Sequence, residues 1–415
     1  MKILVVGGGG REHAIVWKLS QSPLKPEIFC APGNAGIASL ATCVPIKATE
    51  LDKIVDFAVN EKIDFTVVAP DDPLVLGLAD MLREKGIKTF GPSKAAAQIE
   101  GSKSFAKALM AKYGIPTAEY EVFTDADSAI EYVKTHSFPT VIKADGLALG
   151  KGVTIAPDFE SAKAAILNAM VDKAFGDSGS RVVIEEFLTG PEISVLAFTD
   201  SEALIPMCSA QDHKRAFDND EGPNTGGMGA FSPSPIYNAE MAEECMKNIF
   251  LPTMEAMKKE GCPFEGVLYF GLMATPDGVK VIEYNARFGD PETQAVLPRL
   301  KTDLFTIFEA VADHRLSEIN IEWDERAAAC VIAASGGYPV SYKSGFEITL
   351  PDDTDSIIFH SGTSLKDGKL VTAGGRVLGV TSMGDDLKGA VAASYKTMEK
   401  VHFENMHFRR DIGKR

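Results

Sequence analysis

The chain has 415 residues, of which 45% are hydrophobic and 24% charged, an ordinary composition for a globular protein. At about 100–200 residues per domain, this length predicts two to four domains. The 42 basic and 58 acidic residues leave a net charge of −16. That balance argues against a nucleic-acid partner, because a duplex binder needs basic surface to neutralise phosphates. A small anionic ligand is compatible with it where basic residues or a metal ion gather locally.

The cysteines and the apolar runs point to a cytoplasmic protein. The six cysteines are scattered and none forms a Cys-x-x-Cys pair, so they indicate small hydrophobic residues rather than a zinc or redox motif. The apolar run at the start, Ile3–Val6, ends in glycines and does not resemble a signal peptide. The run Ala327–Ala334 is far shorter than a membrane span of about 20 residues. We therefore expect no membrane partner.

The first hundred residues alternate strand-like and helix-like segments. Strands are predicted at Lys2–Val6, Glu27–Cys30, Phe65–Ala69 and Ile87–Phe90, and helices at Arg11–Ser20, Leu51–Asn60 and Leu74–Lys85. Strands that alternate with helices are typical of a doubly wound parallel sheet. We predict such a sheet for an N-terminal domain over residues 1–100.

A small α+β unit is predicted for residues 101–190, with a glycine-rich loop between two of its strands. Its predicted helices are Lys103–Lys112, Ser128–His136 and Phe159–Val171, and its strands are Thr140–Ala144, Val153–Ala156 and Arg181–Glu185. The loop between the first two strands carries Gly146, Gly150 and Gly152.

The rest of the chain is divided into a unit over 191–325 and a small mixed α/β domain over 326–415. In the former we predict strands at Glu192–Phe198, Val267–Ala274 and Val279–Tyr284, a polar loop over Gln211–Ser234 and a helix over Glu240–Lys259. In the latter we predict strands at Ala328–Ala333, Ile357–His360, Lys369–Thr372 and Arg376–Val380 and a closing helix over Leu387–Lys400.

Four consecutive glycines, Gly7–Gly10, join the first strand to the first helix. Backbone amides at such a helix start attract anions. A dinucleotide fingerprint is disfavoured, because Glu12 stands where the third glycine is needed and the second strand is followed by no acid for a ribose. A tight turn that needs positive φ is one alternative. Arg11 and His13 beside the loop favour the other, an anionic ligand that is not a dinucleotide.

A second glycine loop follows Lys143 at the end of a predicted strand. Glycines let backbone N–H groups close over phosphate oxygens, and a lysine adds a point charge. The Gly-Lys-Ser/Thr of a Walker loop is missing, so a plain glycine-rich hairpin is an equal alternative.

Two acidic segments carry further chemistry. Glu185 ends a predicted strand and Glu192 follows seven residues later, where the pair could accept an exocyclic amine and sugar hydroxyls; solvated surface charges are the alternative. In the strand that ends at Asn285, that residue and Glu283 face one side and offer two oxygens suited to Mg²⁺. Arg287 continues the alternation and could grip a carboxylate or phosphate. A plain turn after an edge strand is the alternative for this segment.

Taken in order, these segments resemble the ATP-grasp ligases and, within them, the phosphoribosylamine–glycine ligase family. Each motif is weak by itself, whereas the ordered set is specific and covers essentially the whole chain. The segments that carry the resemblance are Gly7–Ala14, Ala31–Gly36, Ile142–Ala148, Gln211–Arg215, Asn224–Gly229 and Glu283–Gln294.

The resemblance implies a multidomain α/β and α+β fold. It has an N-terminal doubly wound parallel sheet, a central ATP-grasp fold made of a lid subdomain (101–190) and a catalytic subdomain (191–325), and a small C-terminal mixed domain. It also implies the ATP-dependent ligation of glycine to 5-phosphoribosylamine through a glycyl phosphate, a step of purine biosynthesis. ATP would be a co-substrate and Mg²⁺ or Mn²⁺ the cofactor.

The same resemblance assigns roles to residues. Glu283 and Asn285 would hold the metal, and Lys143, Arg287, Asp212 and Lys214 would be catalytic. ATP would be bound by Lys103, Lys143, Gly146, Gly150, Lys151, Gly152, Val153, Glu185, Glu186, Phe187, Leu188, Glu192 and Leu272. The other substrates would meet Gly8, Gly9, Arg11, Asn34, Asp71, Asn224, Thr225, Gly226, Arg287, Asp290, Pro291, Glu292 and Arg376.

Two departures from the family pattern affect the site. The strand before Glu283 lacks the third metal-binding acid of many ATP-grasp enzymes, and Asp71 stands where a glutamate is usual. Two rival functions remain: an ATP-grasp ligase or carboxylase that acts on another acid, and a nucleotide-sensing scaffold. Lys143, Glu283 and Arg287 speak against the scaffold. We expect a monomer.

Overall fold

The computed structural model of the protein describes residues 1–148 and 152–414. Its N-terminal part is a parallel five-stranded sheet in the order β3-β2-β1-β4-β5, which confirms the predicted doubly wound sheet. The strands are β1 (Lys2–Gly7), β2 (Glu27–Pro32), β3 (Thr42–Cys43), β4 (Phe65–Val68) and β5 (Lys88–Phe90), and the helices are α1 (Gly10–Leu19), α2 (Leu51–Asn60), α3 (Asp71–Leu76) and α4 (Leu78–Glu84).

The prediction of one helix over Leu74–Lys85 is wrong, because the structure has two helices there, α3 and α4. Gly77 has φ +100°, a left-handed conformation that ends α3 and begins α4. Glycine adopts this conformation at little steric cost, so the chain can turn here. The first of the two helices, α3, begins at Asp71, three residues before the predicted start at Leu74.

The unit after residue 93 consists of two linking helices, two further helices and a four-stranded antiparallel sheet in the order β6-β9-β7-β8. The helices are α5 (Lys94–Gly101), α6 (Lys103–Tyr113), α7 (Ala126–Val133) and α8 (Phe159–Met170), and the strands are β6 (Tyr120–Phe123), β7 (Thr140–Ala144), β8 (Val153–Ala156) and β9 (Val182–Glu186). The small sheet, α7 and α8 bury a hydrophobic core of their own, around Ile142, Ile166 and Ile184. We name residues 120–186 the lid.

The central part is built on an antiparallel sheet in the order β11-β10-β16-β17. The strands from residue 191 onward are β10 (Glu192–Asp200), β11 (Leu204–Pro206), β12 (Gln211–Asp212), β13 (Arg215–Phe217), β14 (Glu221–Asn224), β15 (Gly229–Ser232), β16 (Glu265–Thr275) and β17 (Gly278–Asn285). The helices are α9 (Ala239–Cys245), α10 (Leu251–Lys259), α11 (Glu292–Val296) and α12 (Leu304–Ala312).

Two predictions for this part are corrected. The segment Gln211–Ser234 is not a loop, because β12 to β15 lie in it. The predicted helix Glu240–Lys259 is interrupted by a π-turn at Met246–Phe250, which comes just before Pro252, a residue that cannot donate a helical hydrogen bond.

The C-terminal part is a sheet in the order β12-β15-β18-β22-β19, with β23 also paired to β18. Its remaining elements are β18 (Ala327–Ser335), β19 (Ile357–His360), β20 (Thr363–Lys366), β21 (Lys369–Thr372), β22 (Arg376–Gly384), β23 (Met406–His407) and α13 (Leu387–Met398). Because β12 and β15 precede residue 325, the predicted division at 325/326 runs through this sheet. The three predicted domain boundaries stay predictions.

The N-terminal and central parts share their hydrophobic cores. Phe65 of β4 contacts Phe305 of α12 with ring centroids 5.3 Å apart, and Phe90 of β5 contacts Phe308 at 4.0 Å. Both belong to one buried cluster that also contains β10 and β16 residues. This shared burial joins the two parts into one body. In the two described ranges, the helices are all too short or too polar to cross a membrane.

Two buried histidines join the N-terminal part to the C-terminal part. The backbone N–H of His360 in β19 donates to Nδ1 of His13 in α1 at 2.7 Å, and the two rings lie 5.5 Å apart. A Cβ on Gly36 would lie 2.5 Å from both rings, so glycine is required beside them. Burial, together with the nearby His360, lowers the pKa of His13 to about 3. Burial also lowers the pKa of His360 to about 4.

This junction predicts a loss of stability in acid. The unfolded histidines have a pKa near 6.5, so below that pH the unfolded chain binds more protons than the folded chain. The stabilisation is complete above about pH 6.5 and falls by up to about 1.4 kcal/mol per pH unit for each histidine as the pH drops towards their folded pKa values. We expect His360→Asn to flatten the decline of the melting temperature between pH 7 and pH 5. The exposed His402, changed to Asn, is the matched control and should keep the wild-type slope; equal slopes in both variants would contradict this assignment.

Candidate active site

A cleft lies where the lid faces the central sheet, and it continues to the glycine loop before α1 and to β22. At the lid end, Lys143 at the end of β7 places its Nζ 3.0 Å from Oε2 of Glu185 and 2.9 Å from the carbonyl oxygen of Ile282. The Nζ of Lys107 is 3.1 Å from the same Glu185 oxygen. The other oxygen, Oε1 of Glu185, is buried without a hydrogen-bond partner. It is therefore placed to accept a hydrogen bond from a ligand.

Lys107 is a site residue that the sequence analysis missed. Its burial lowers the pKa of its ammonium group to about 8, against the attraction of Glu185. The signal was present, because Lys103 and Lys107 stand four residues apart and so share one face of α6.

Lys103 begins α6 and reaches towards the lid. Its Nζ donates to the carbonyl oxygen of Gly146 at 2.9 Å, and its backbone N–H donates to Asp145 at the same distance. Burial, and then the nearby Lys143, lower the pKa of Lys103. A lysine whose charge is disfavoured by a neighbouring lysine in this way indicates a place for an anion.

The other predicted nucleotide contacts are only partly brought together. Gly152 and Val153 lead into β8 opposite Lys143, and Leu272 is buried in β16. Glu186 turns to Lys280, at 3.1 Å, Phe187 is exposed, and Leu188 is half-buried. Gly150 and Lys151 lie outside the described residues.

Three charged side chains meet at the centre of the cleft. The Nζ of Lys214 is 2.8 Å from Glu192 and 3.3 Å from Glu283. The positive charge of Lys214 lowers the pKa of Glu283 to about 2, an effect that outweighs the opposing effect of burial. This carboxylate is therefore ionised. The side chain of Glu283 is 37% exposed into the cleft. An ionised, accessible carboxylate next to an amide oxygen on the same strand suits a hard cation.

The absence of a third metal-binding acid on the strand before Glu283 has a steric explanation. Gly271 of β16 is the register partner of Glu283, and a Cβ on it would lie 2.8 Å from Cγ of Glu283. Within residues 1–148 and 152–414, there is no group of three or more His, Cys, Asp or Glu that could hold a metal. A cation at Glu283 and Asn285 would need oxygens from a nucleotide as well.

The sequence predicts that Arg287 continues the alternation of the strand, and this prediction is wrong. β17 ends at Asn285, and the guanidinium of Arg287 is 2.7 Å from Glu100 and 3.8 Å from Asp71. Burial alone would lower the pKa of Arg287, but these two carboxylates raise it above its usual value. Glu100, the second missed residue, is itself buried, and its burial raises the pKa of its carboxyl to about 7.

At the far end of the cleft, three parts of the chain meet around Asp290. Its carboxylate lies 3.3 Å from Arg376 of β22 and accepts a hydrogen bond from Gln294 at 2.7 Å. Arg376 also donates to the carbonyl oxygen of Gly226 at 2.5 Å. A Cβ on Gly9 would lie 3.6 Å from the Asp290 carboxylate, so the glycine loop closes against it.

The glycine loop is held in place from both sides. Arg11 pairs with Glu12 at 2.6 Å and donates to the carbonyl oxygen of Phe288 at 3.1 Å. Asn34 donates to the carbonyl oxygens of Gly8, at 2.9 Å, and His360, at 2.8 Å.

Beside Asp290, Glu292 is buried and accepts hydrogen bonds from Ser194, at 3.1 Å, and from the hydroxyl of Tyr269, at 3.0 Å. These two partners were also missed, because nothing in a strand sequence marks a buried hydroxyl as a site residue. Burial, and then Glu292, raise the pKa of Asp212 well above its usual value.

The loop from β12 to β15 packs over this end. Thr225 donates through N–H and hydroxyl to the carbonyl oxygen of Lys214, at 2.7 and 2.8 Å, and Asn224 pairs with Arg215 in the β13–β14 hairpin. A Cβ on Gly227 would lie 2.4 Å from Pro291.

Several buried polar atoms of the cleft lack a hydrogen-bond partner. Among the described residues they include Oε1 of Glu185, Oδ1 of Asp212, Nε of Arg287 and Oε1 of Gln294. An unsatisfied buried polar atom costs about 1–3 kcal/mol, so such atoms are rare unless a ligand completes them. Both donors and acceptors are present, which suits a ligand that carries amines as well as anionic oxygens.

The fold and the cleft define an ATP-grasp enzyme. Residues 101–293 match the model of the phosphoribosylglycinamide synthetase ATP-grasp domain, residues 1–100 that of its N domain and residues 328–415 that of its C domain. The chain belongs to the phosphoribosylglycinamide synthetase family.

Similar proteins agree with this membership. The chain is 52% identical over 414 residues to a phosphoribosylamine–glycine ligase of Caldanaerobacter subterraneus subsp. tengcongensis, covering 100% of this chain and 99% of the relative. It is 34% identical to the crystal structure of that ligase from Thermotoga maritima, with a TM-score of 0.88 and full coverage of both chains. The biotin carboxylase domain of the Hydrogenobacter thermophilus 2-oxoglutarate carboxylase shares the fold, with a TM-score of 0.76 at 16% identity, covering 98% of this chain and 91% of that domain.

The separate core of the lid predicts that it moves as a unit when nucleotide binds. An ATP analogue that bridges the lid and the central sheet should stabilise the lid against local opening. We expect hydrogen exchange of the β7 and β8 amides to slow when a non-hydrolysable ATP analogue and Mg²⁺ are added. The β20–β21 hairpin is the internal control and should exchange as before. Unchanged exchange in β7 and β8 at saturating nucleotide would contradict a lid.

Proposed function

We propose that this protein joins glycine to 5-phosphoribosylamine with ATP, through a glycyl phosphate, to give glycinamide ribonucleotide, ADP and phosphate. The observation that carries the proposal is the shared cleft. It combines paired lysines with an open carboxylate oxygen at one end, Glu283 and Asn285 in the middle, and an arginine–carboxylate network at the other end. Membership in the synthetase family supports the choice of substrates.

ATP lies along the lid side of the cleft. The open Oε1 of Glu185 accepts from the adenine amine, the Leu188 amide meets the ring, and Glu192 takes the ribose hydroxyls. Lys103 and Lys143 neutralise the phosphates, and the lid closes over them. The burial of these lysines strengthens their attraction for an anion, because a low-dielectric setting screens charge weakly.

The metal site is completed by the nucleotide. Glu283 is ionised and exposed into the cleft, and Asn285 stands two residues along the same strand, so both fit a hard cation. When bound, Mg²⁺ or Mn²⁺ neutralises the negative charge of the phosphates during transfer. Lys214 lies 3.3 Å from Glu283, so its ammonium group shares this carboxylate with the proposed cation site.

The reaction has two steps. A carboxylate oxygen of glycine attacks the γ-phosphorus, while Arg287 stabilises the anionic oxygens. Positioning and charge neutralisation account for most of the catalysis of phosphoryl transfer. The amine of phosphoribosylamine then attacks the glycyl carbon, and phosphate leaves. Asp212 is suited to interact with this amine, because its buried Oδ1 has no hydrogen-bond partner and can accept from an N–H of the substrate.

Phosphoribosylamine enters from the end at which three parts of the chain meet. The Gly8 amide, Arg11 and Arg376 supply donors for its phosphate and hydroxyls, and Gly9, whose N–H donates to Glu12 at 2.6 Å, lies beside them in the same loop. Asn34, Asp71 and the segments Asn224–Gly226 and Asp290–Glu292 surround the remaining groups. An acyl phosphate hydrolyses in water, so closure of the lid over this cavity protects the intermediate.

We also propose a cytoplasmic monomer without a nucleic-acid partner, divided at residues 100, 190 and 325. The net charge of −16 supports the absence of a nucleic-acid partner.

Lys143 provides a direct mutational test. We expect Lys143→Met to lower kcat/KM by about 100-fold or more, because an oriented charge on the transferring phosphoryl group is lost. Lys112→Met is the matched control, since Lys112 is an exposed lysine that pairs with Glu260 at 2.6 Å outside the cleft. Wild-type kcat/KM in a folded Lys143→Met variant would overturn the role of this lysine.

Isotope transfer tests the intermediate. If glycine is activated as an acyl phosphate, one of its carboxylate oxygens becomes the bridge to phosphorus and leaves with phosphate. Glycine labelled with ¹⁸O in its carboxylate should therefore transfer one label to inorganic phosphate per turnover, as measured by mass spectrometry. Simple ATP hydrolysis would place solvent oxygen in phosphate instead. Unlabelled phosphate during amide formation would refute the glycyl phosphate.

A further inference from the structure

The side chain of Glu100 holds three consecutive residues at the end of β17. Its Oε2 accepts from the backbone N–H of Ala286 at 2.7 Å, and its Oε1 lies 2.7 Å from the guanidinium of Arg287. When the side-chain amide of Asn285 is oriented to satisfy its hydrogen-bond partners, its N–H donates to the same Oε1 of Glu100, with an N···O distance of 3.0 Å. One carboxylate thus contacts each residue of the segment 285–287.

The contacts of Glu100 lie where β17 ends and its pairing with β16 stops. Asn285 is the last residue of β17 and pairs with Tyr269 of β16. Beyond it, the Ala286 N–H has left the β16–β17 ladder and is bound by Glu100. A segment that leaves a sheet is otherwise free to turn, so this bond fixes the direction in which the next side chain leaves.

The same contact decides which atom of Asn285 faces the cleft. With its nitrogen on Glu100, the amide oxygen of Asn285 is turned away from that carboxylate. An amide nitrogen does not bind a hard cation, whereas an amide oxygen does. A side chain that binds the nitrogen therefore selects the ligating orientation.

Glu100 is rigid enough for this task. It stands near the end of α5, its side chain is 6% exposed, and its neighbours Ala96, Ala97 and Ile99 are buried. It also lies three residues before Lys103, so α5 links the central strand to the lysine that faces the lid. Partners of metal ligands commonly orient them in this way.

We propose that Glu100 is a positioning residue that presents the Asn285 amide oxygen to the metal and aims Arg287 at the reacting groups. The inference rests on the proposed function, in which Asn285 is a metal ligand. Glu100 itself touches neither substrate nor metal.

The test separates metal binding from nucleotide binding. In Glu100→Gln, only one of the two carboxylate oxygens remains as an acceptor, so the side chain cannot accept from Ala286 and from the Asn285–Arg287 pair at the same time. We expect the affinity for Mn²⁺ in the presence of ADP, measured by electron paramagnetic resonance, to fall about 10- to 100-fold. ADP binding without metal, measured by calorimetry, should stay within about twofold, because Glu185 and Lys143 are untouched. Gln98→Ala, an exposed change on the same helix, is the matched control and should alter neither.

A double-mutant cycle shows whether Glu100 acts through Asn285. In an Asn285→Ala background, adding Glu100→Gln should lower the Mn²⁺ affinity little further, since residues that act as a unit are not additive. Equal losses in both backgrounds would overturn the proposal. So would an unchanged Mn²⁺ affinity in Glu100→Gln, or a parallel loss of metal-free ADP binding.

If Glu100→Gln does not fold, Glu100→Asp replaces it in the same measurements. The shorter side chain keeps the charge but cannot reach all three partners, and the same fall in Mn²⁺ affinity is expected. These binding experiments need no turnover. Glycine-dependent ADP formation by the wild-type protein tests the proposed function separately, so the two ideas fail independently.

Discussion

The cleft depends on the mutual neutralisation of buried charges. Lys143 and Lys107 share Glu185, Lys214 bridges Glu192 and Glu283, and Arg287 pairs with Glu100. A buried ion without a partner costs several kcal/mol, so these carboxylates stabilise the cations of the cleft. In the proposed reaction, the phosphates of a nucleotide replace Glu185 as the partner of Lys143 and the Gly146 carbonyl oxygen as the partner of Lys103. A cation likewise replaces Lys214 at Glu283. The ion pairs thus allow a charged site to be built inside the fold.

The domain arrangement follows from the same requirement. A reaction among three small molecules needs charged groups from several directions, and no single sheet presents them all. The lid contributes Lys143 and Glu185, the central sheet contributes Glu283 and Asn285, and the C-terminal sheet contributes Arg376. Shared hydrophobic cores fix the N-terminal part against the central part, whereas the lid has its own core. In the proposed reaction, the former carries the groups for the metal and the acceptor, and the lid moves to cover the phosphates.

Much of the fold was predictable from the sequence, because the parallel sheet and most strands are marked by hydrophobic patterning. Gly77 was harder to assign, since a helix-period pattern continues across it while its backbone does not. The strands within Gln211–Ser234 were missed because they are only two to four residues long and depend on pairing. β15 pairs with β18, far along the chain, β12 pairs with β15, and β13 and β14 pair with each other. The site was predicted through its motifs, and those roles stay predictions. Lys107, Ser194, Tyr269 and Glu100 were missed, because their importance comes from what they contact in space.

In the proposed function, one cleft couples ATP cleavage to two further substrates. This coupling is tested by measuring ADP formation with glycine and phosphoribosylamine supplied together, with each omitted in turn, and with glycine replaced by bicarbonate. We expect sustained ADP formation, with equal amounts of glycinamide ribonucleotide, only when both substrates are present. Turnover with bicarbonate and no need for glycine would instead indicate a carboxylase, and ADP formation that ignores both substrates would contradict the ligase function.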